Sequence, residues 1–345
     1  MSQDKTLTLI GAVPSPYTRK MVALLRYRHL RYRVIWDDPV AVLTGMKIAL
    51  PKVALLPTCL MLDEAGEIKA VCDSTPIIRR LDAEFTGRRV IPADPALAFI
   101  DYLLEDFADE WCTKYMFHYR WASAEDADNA GTLLPLFQKI DMPAEMFKQF
   151  KPFVTERQVS RLHVVGSSEV TAPVIDASYR RFLSAMESHL ELQPFMLGQR
   201  PGACDFALYG QLTQLVGFDP TSRAIAHAIA PRVVAWTGLM EDQCGLEPTT
   251  DAWNTLEEAP LSLTVLLNEV GRVYAPALLA NAKALDKGDK TWQAPIDGSL
   301  WSQQTFAYQG KCLKWINSEY QQLSTTDKLK VDGLLAGTGC EVLLS

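Results

Sequence analysis

The sequence has no long hydrophobic run and no excess of positive charge. None of its apolar stretches approaches the roughly 18 residues that a membrane-spanning helix needs. The 345 residues include 34 Lys and Arg against 41 Asp and Glu, which gives a formal net charge of −7. A chain of this charge has no general attraction for nucleic acid or for anionic lipid, because both are polyanions. We therefore expect neither a nucleic-acid partner nor a membrane location.

Cysteine and histidine patterns typical of metal or redox sites are also missing. The seven cysteines are scattered, odd in number and never arranged as C-x-x-C, and the five histidines show no H-x-x-x-H or H-E-x-x-H spacing. We therefore expect no metal site and no disulfide framework. Free thiols suit a reducing compartment, and no secretory cleavage signal follows the first apolar run, so a cytoplasmic location is expected.

The composition is that of a folded chain. Apolar residues make up 48% of the sequence and charged residues 22%, values typical of globular proteins. The length suits roughly two to three domains. We expect an α/β domain at residues 1–92 and an all-α domain at 93–255 with an insert near 122–171. Residues 256–345 are interpreted as a helical C-terminal extension packed on the α domain.

Strand and helix signals alternate in the first domain, in the order β-α-β-(α)-β-β-α. Strands are expected at Thr6–Ala12, Tyr32–Trp36, Leu55–Leu62 and Glu67–Val71, of which the last two form a hairpin. A helix should begin at Ser15, a good N-cap that is followed by proline. Residues 40–50 could be a short helix or an irregular segment. A further helix should begin at Asp73 and Ser74 and end by Gly87.

Helical patterns replace the strand signals after Pro95. One extended helix is predicted along the face that carries Leu104, Trp111, Tyr115 and His118. Further helices are expected at 133–153, 174–192, 203–216, 223–240 and 261–286, with a loop at 284–291. The tail from 300 to 344 is predicted to return to helix.

Three of these segments carry groups suited to a small charged peptide. Ser15 places its hydroxyl beside the free amides and the positive dipole end of a helix, where an anion is stabilised. Pro57 is a candidate cis-proline, which would turn the backbone of Leu56 outward to pair with an extended peptide. Asp73 can hold an amine, while the hydroxyl and amide of Ser74 can hold a carboxylate. Each motif alone is also a common cap or turn, but their order favours a pocket for a peptide thiolate.

These motifs resemble those of the cytosolic glutathione S-transferase superfamily, in a bacterial-type form with an enlarged C-terminal region. Members of that superfamily join an N-terminal thioredoxin-like domain, which is α/β, to an all-α helical C-terminal domain. The stretch Ser15-Pro-Tyr-Thr-Arg-Lys20 matches the family segment S/C-P-x-x-R-K/R, Leu56-Pro57 matches V/L-P, and Asp73-Ser74 matches E/D-S.

A second resemblance lies in the helical part. Gly202-Ala-Cys-Asp205-Phe is similar to the family capping box S/T-x-A-D-F, although Gly202 replaces the hydroxyl residue. Glycine is an acceptable N-cap but lacks a side-chain acceptor, so this cap is weaker by up to about 1 kcal/mol. Asp205 is expected to serve the backbone and to have no catalytic role.

The resemblance implies a glutathione S-transferase-like enzyme with glutathione as its co-substrate and no metal. Ser15 would be the catalytic residue, because its hydroxyl would stabilise the thiolate of bound glutathione. Leu56, Pro57, Asp73 and Ser74 would bind the peptide. The resemblance also implies a homodimer.

The second substrate would be a small hydrophobic electrophile. Trp111, Tyr115, His118 and Tyr119 are the candidates for the wall of its pocket, although a packed core stripe explains the same pattern. Conjugation, ether cleavage, isomerisation and peroxide reduction would all use one thiolate pocket, and the sequence does not separate them.

A different class of function stays open as the alternative. The chain could be a non-catalytic glutathione- or ligand-binding interaction module that keeps the transferase fold. Its extension carries aromatic residues that could cover the active-site mouth or a partner, namely Trp301, Tyr308, Trp315 and Tyr320. Packing of the tail on the helical domain is the simpler explanation.

Overall fold

A four-stranded sheet and three helices form the N-terminal part of the computed structural model, which describes residues 6–249 and 252–344. The strands are β1 (Leu7–Gly11), β2 (Tyr32–Trp36), β3 (Thr58–Leu62) and β4 (Ile68–Val71), and the helices are α1 (Pro16–Tyr27), α2 (Pro39–Gly45) and α3 (Ser74–Glu84). The strand order is β2-β1-β3-β4, with β1 parallel to β2 and antiparallel to β3. This arrangement confirms the expected thioredoxin-like domain.

The strand register brings three chain segments to one edge of the sheet. Ile10 near the end of β1 pairs with Thr58 at the start of β3, and Cys59 pairs with Val71 at the end of β4. The end of β1, the start of β3 and the end of β4 therefore lie side by side. The segments that contain Ser15, Pro57 and Asp73 leave the sheet at this edge.

Helix α1 begins where the sequence predicts. The Ser15 hydroxyl oxygen accepts a hydrogen bond from the Thr18 amide at 3.2 Å, and Pro16 takes the first helical position. Proline suits this position because its missing N–H would have no helical partner there. The apolar face of the helix, which includes Met21, Leu24 and Leu25, is buried.

The middle of the chain is helical. It comprises α4 (Pro95–Glu110), α5 (Cys112–Ala122), α6 (Ala124–Gln138), α7 (Ala144–Val159), α8 (Ala172–His189), α9 (Ala203–Leu215), α10 (Pro220–Ile229) and α11 (Pro231–Met240). None of the described helices is both long and apolar enough to cross a bilayer.

Three predicted helices are interrupted in the structure. The extended helix along the Trp111 face is two consecutive helices, α4 and α5, that meet at Trp111. The helix predicted at 133–153 is divided by the turn that ends at Pro143. The helix predicted at 223–240 is divided at Pro231, which takes the first position of α11 because it cannot continue α10.

The C-terminal extension departs further from the prediction, because it contains a β-hairpin. Helices α12 (Leu261–Glu269) and α13 (Ala275–Lys287) flank a π-helical turn, and α13 runs into the predicted loop. Strands β5 (Thr291–Ile296) and β6 (Ser299–Gln304) follow, and then α14 (Ala307–Gln321) and α15 (Thr325–Leu335). The prediction of helix from residue 300 is therefore wrong for β6, where Trp301 and Gln303 are buried and their neighbours exposed in strand alternation.

Helix α9 fixes the two domains against each other. A Cβ atom on Gly210 would lie 2.4 Å from the carbonyl oxygen of Pro16, so only glycine permits this approach to the start of α1. The Asp205 carboxylate accepts from the amides of Met196 and Gly202, both at 2.9 Å. These bonds confirm that Asp205 serves the backbone.

Candidate functional site

Ser15 lies at the N-terminus of α1, and its hydroxyl proton makes no hydrogen bond to the described residues. Its oxygen accepts from the Thr18 amide, and no acceptor for the hydroxyl occurs among the described residues. The side chain is largely buried, with 8% of the residue exposed. A thiolate sulfur beside this group would receive a hydrogen bond and the favourable field of the helix dipole.

Leu56 and Pro57 lie directly before β3, at the same edge of the sheet as the segment that contains Ser15. The bond between them is cis, as predicted. Neither the amide nor the carbonyl of Leu56 has a hydrogen-bond partner in the described part of the chain. These two backbone groups are free to pair with an extended peptide in the manner of an added strand.

Asp73 and Ser74 complete this edge at the N-terminus of α3. Asp73 has φ of +81°, a conformation that non-glycine residues rarely adopt. Such residues cost of order 1–3 kcal/mol and concentrate at ligand and active sites. The carboxyl group is partly buried, and this burial raises its pKa, although the hydrogen bond from Tyr308 opposes the shift.

Lys20 connects these groups to the helical domain, although the sequence analysis gave it no role. Its ammonium group, which is fully buried, donates to Ser74 Oγ at 3.1 Å, to Glu105 Oε1 at 2.7 Å and to Asp109 Oδ2 at 2.6 Å. Burial alone would lower the pKa of Lys20, but the two carboxylates outweigh it and raise the pKa. Lys20 therefore stays charged and holds the Ser74 hydroxyl in place.

The carboxylates that Lys20 meets belong to a buried acidic face of α4. Asp101, Glu105 and Asp109 are spaced by four residues, so they share one side of the helix. Burial raises the pKa of Asp101 to about 8 and that of Asp109 to about 6. In the sequence, these acids recur every four residues within an otherwise apolar segment. This spacing is the signal from which a buried cationic partner could have been predicted.

The C-terminal extension also reaches the site. The Tyr308 hydroxyl, at the start of α14, donates to Asp73 Oδ2 at 2.7 Å. The Tyr308 ring packs edge-on against Trp315 with the centroids 5.9 Å apart. The sequence suggested only that aromatic residues of the tail could cover the active-site mouth, without indicating which residue they would meet.

The four residues proposed for the electrophile wall differ in their surroundings. Trp111 and Tyr115 have no exposed surface and share Ser178 as a hydrogen-bond partner, which corresponds to the packed core stripe. Tyr119 is also buried and donates to Asp176, whereas His118 is partly exposed and bonds Ser167. Burial lowers the pKa of His118.

The groove between α8 and α12 lacks the chemistry found at this edge. It has a volume of about 530 Å³ and contains none of the predicted site residues, and the arginines that line it are paired with acids. Within residues 6–249 and 252–344, no group of three or more His, Cys, Asp or Glu side chains could hold a metal ion.

The comparisons with known proteins identify the N-terminal domain. Residues 9–89 match the family model for the glutathione S-transferase N-terminal domain. This range contains Ser15, Leu56, Pro57, Asp73 and Ser74. The domain therefore belongs to the glutathione S-transferase superfamily, as its motifs predicted. The match ends before the helical part, and no curated protein matches the chain.

Several solved structures resemble the chain more distantly. A glutathione S-transferase from Methylobacterium radiotolerans, in complex with glutathione sulfonate, has 18% identity and a TM-score of 0.40, covering 69% of this chain and 92% of that chain. A β-etherase from Sphingobium sp. strain SYK-6 has 18% identity and a TM-score of 0.47, covering 68% and 95%. A Tau class glutathione S-transferase from mango, Mangifera indica, has 18% identity and a TM-score of 0.41, covering 71% and 94%.

Proposed function

We propose that this protein is a glutathione-dependent transferase that activates the thiol of bound glutathione for attack on a small hydrophobic electrophile. The observation that carries the proposal is the meeting of three segments at one sheet edge. There Ser15 offers a hydroxyl proton, Leu56 offers unpaired backbone groups, and Asp73 and Ser74 offer an acid and a hydroxyl.

Ser15 would act on the sulfur without becoming covalently modified. A thiol with a pKa near 8.5 is only roughly 3% ionised at pH 7, and lowering that pKa by about two units would make about three quarters of it thiolate. The hydroxyl donor and the dipole of α1 both favour the charged form. The thiolate then forms a bond to the electrophilic carbon, and the leaving group departs with its electron pair.

The other residues would hold the peptide. The backbone of Leu56 beside Pro57 would pair with the cysteinyl part of glutathione. Asp73 would accept from the γ-glutamyl ammonium group, and Ser74 would donate to the carboxylate at the same end. Lys20 would keep the Ser74 oxygen in position, because it already donates to it.

The proposal specifies the chemical class of the electrophile, and it includes four possible reaction subtypes. Conjugation, ether cleavage, isomerisation and peroxide reduction all begin from the same thiolate. His118 and Tyr119 stay candidates for the electrophile wall, whereas Trp111 and Tyr115 would reach a ligand only if the core around them opened. A homodimer and a cytoplasmic location remain predictions.

Calorimetric titration of the purified protein with reduced glutathione, followed by ultraviolet absorbance in the thiolate band, tests the proposal. Binding together with a thiolate signal at neutral pH is the expected result. The absence of binding would refute the proposal and leave only a shared fold.

The alternative is a glutathione-binding module without turnover. One observation favours it, namely the contact of Tyr308 with Asp73, because the extension then covers part of the site. Binding without a thiolate signal, and without conversion of a panel of electrophiles, would support this alternative over the transferase.

A further inference from the structure

Tyr308 contacts the predicted peptide site at Asp73, the acid that is proposed to bind the amino group of the peptide. The hydroxyl donates to Asp73 Oδ2 at 2.7 Å. Tyr308 comes from the extension, 235 residues along the chain from Asp73. The contact is therefore tertiary and does not arise from the local turn.

Among residues 6–249 and 252–344, no Lys, Arg or His side chain forms an ion pair with the Asp73 carboxylate. The charge of Lys20 favours the ionised form of Asp73, but the Lys20 ammonium group forms its ion pairs with Glu105 and Asp109. Asp73 therefore shares the charge of this lysine with two other carboxylates. Because an ammonium group is both a stronger donor and a better charge match for a carboxylate than a neutral phenol, Asp73 would prefer an ammonium partner.

We propose that Tyr308 is a gate residue. Before a peptide binds, the Tyr308 hydroxyl donates to the Asp73 carboxylate. When a γ-glutamyl peptide binds, its α-ammonium group displaces this hydroxyl and donates to the same carboxylate. This inference rests on the proposed glutathione site. It makes the extension part of ligand selection, because only a ligand with a primary ammonium group at this end displaces the phenol.

The surroundings of Tyr308 favour movement of its side chain over unfolding of α14. The backbone of Phe306 is held by Asn281, whose side chain donates to the Phe306 carbonyl at 3.0 Å and accepts from the Phe306 amide at 2.8 Å. Gln309, the next residue along α14, is buried. Tyr308 itself is only partly buried, so its ring can turn toward solvent while the helix stays in place.

Two ligands and two matched variants test the gate. Reduced glutathione is compared with glutaryl-cysteinylglycine, which lacks only the α-amino group. Tyr308→Phe removes the hydroxyl and keeps the ring, and Tyr320→Phe is the control, because Tyr320 lies on the same helix and donates to Asp332 at 2.7 Å. Dissociation constants from calorimetry are the measurement.

We expect Tyr308→Phe to bind glutathione about threefold to tenfold more tightly than the unchanged protein, since the competing bond to a charged group is lost. Tyr320→Phe should bind as the unchanged protein does. The analogue should bind all three proteins equally, because it has no ammonium group that could compete with the Tyr308 hydroxyl for Asp73.

The opposite results are equally clear. Weaker glutathione binding by Tyr308→Phe would mean that the hydroxyl assists the ligand and would overturn the gate. An equal change for both ligands would overturn it as well, because the amino group would not be involved. Failure of every protein to bind glutathione would instead refute the proposed function, and the gate with it.

A measurement on the unchanged protein provides a second test. The ring of Trp315 packs against Tyr308, so rotation of Tyr308 alters the surroundings of this indole. Glutathione should change a component of tryptophan fluorescence that Trp315→Phe removes, and the analogue should not. Identical spectra with both ligands bound would contradict the gate.

Discussion

Lys20 Nζ lies 2.6 Å from Asp109 Oδ2, inside the interface between the two domains. The side chains of Lys20 and Asp109 are 1% and 10% exposed, so the charges attract each other with little screening by water. Because the same ammonium group donates to Ser74, this pair links the peptide site to helix α4. The geometry of the site therefore depends on the docking of the helical domain.

Lys20→Met should destabilise the fold strongly. The substitution would leave Glu105 and Asp109 buried without a cation, and breaking a buried pair in this way costs about 3–5 kcal/mol. Urea unfolding measures the loss. Lys69→Met is the matched control, because Lys69 pairs with Glu67 at the surface and its removal should cause no measurable change. Equal stabilities of the two variants would contradict the linking role of Lys20.

Ser15→Ala should reduce turnover about tenfold or more while leaving the affinity for glutathione nearly unchanged, because the hydroxyl stabilises the thiolate and not the peptide backbone. The loss of the cap also weakens α1 by about 0.5–2 kcal/mol. Ser324→Ala controls for this effect, since Ser324 caps α15 with the same geometry and lies in the extension.

Steady-state rates and the thiolate absorbance, measured over a range of pH, distinguish the loss of thiolate stabilisation from the loss of the helix cap. We expect Ser15→Ala alone to shift the thiolate titration toward higher pH. If Ser324→Ala lowered turnover to the same extent, the role of Ser15 would be that of a helix cap only.

The N-terminal domain was predictable because its signals are local. Ser15 followed by Pro16 fixes a helix start, and the alternation in residues 32–36 fixes a strand, whatever the rest of the chain does. The three segments of the site were placed together through a family resemblance, and the register of Ile10 with Thr58 gives the physical reason.

The contacts that connect distant segments were not predictable. Nothing around Tyr308 indicates that its hydroxyl meets Asp73, because the contact depends on how the extension folds back. The hairpin that ends in β6 was missed for a related reason. Trp301 and Gln303 alternate with exposed residues over only six positions, and the aromatic residues of this tail also fitted a helix.

Protein stability should fall as the pH rises from about 4 to about 8. Burial, with a contribution from the Glu105 charge, raises the pKa of Asp101 to about 8, whereas an unfolded aspartate has a pKa near 3.9. The folded protein therefore holds this proton more tightly than the unfolded chain. The resulting stabilisation is complete below about pH 4 and is lost as the pH rises through about 8.

Asp101→Asn should flatten this dependence, since an asparagine oxygen can still accept from the Cys204 amide, which lies 3.0 Å from Asp101 Oδ1. The measurement is the free energy of unfolding in urea from about pH 5 to about pH 8.5. Asp63→Asn is the control, because hydrogen bonds from the Glu67 and Ala65 amides lower the pKa of this partly exposed residue and confine its effect to acid pH. An equally steep decline for Asp101→Asn and the unchanged protein would contradict the assignment.

Gly166→Ala should loosen the docking of the β5–β6 hairpin. Gly166 has φ of +81°, and an added Cβ atom would lie 2.4 Å from Nε1 of Trp301, which has no exposed surface. The expected cost is about 1 kcal/mol for the backbone plus about 1–3 kcal/mol for the clash.

Gly288→Ala separates these contributions, because Gly288 has φ of +75° and nothing within 4 Å of the added atom. In urea unfolding and limited proteolysis, Gly166→Ala should therefore lose more stability and be cut sooner within residues 288–306. Similar behaviour of the two variants would mean that Trp301 can shift, and that the hairpin is not held by this contact.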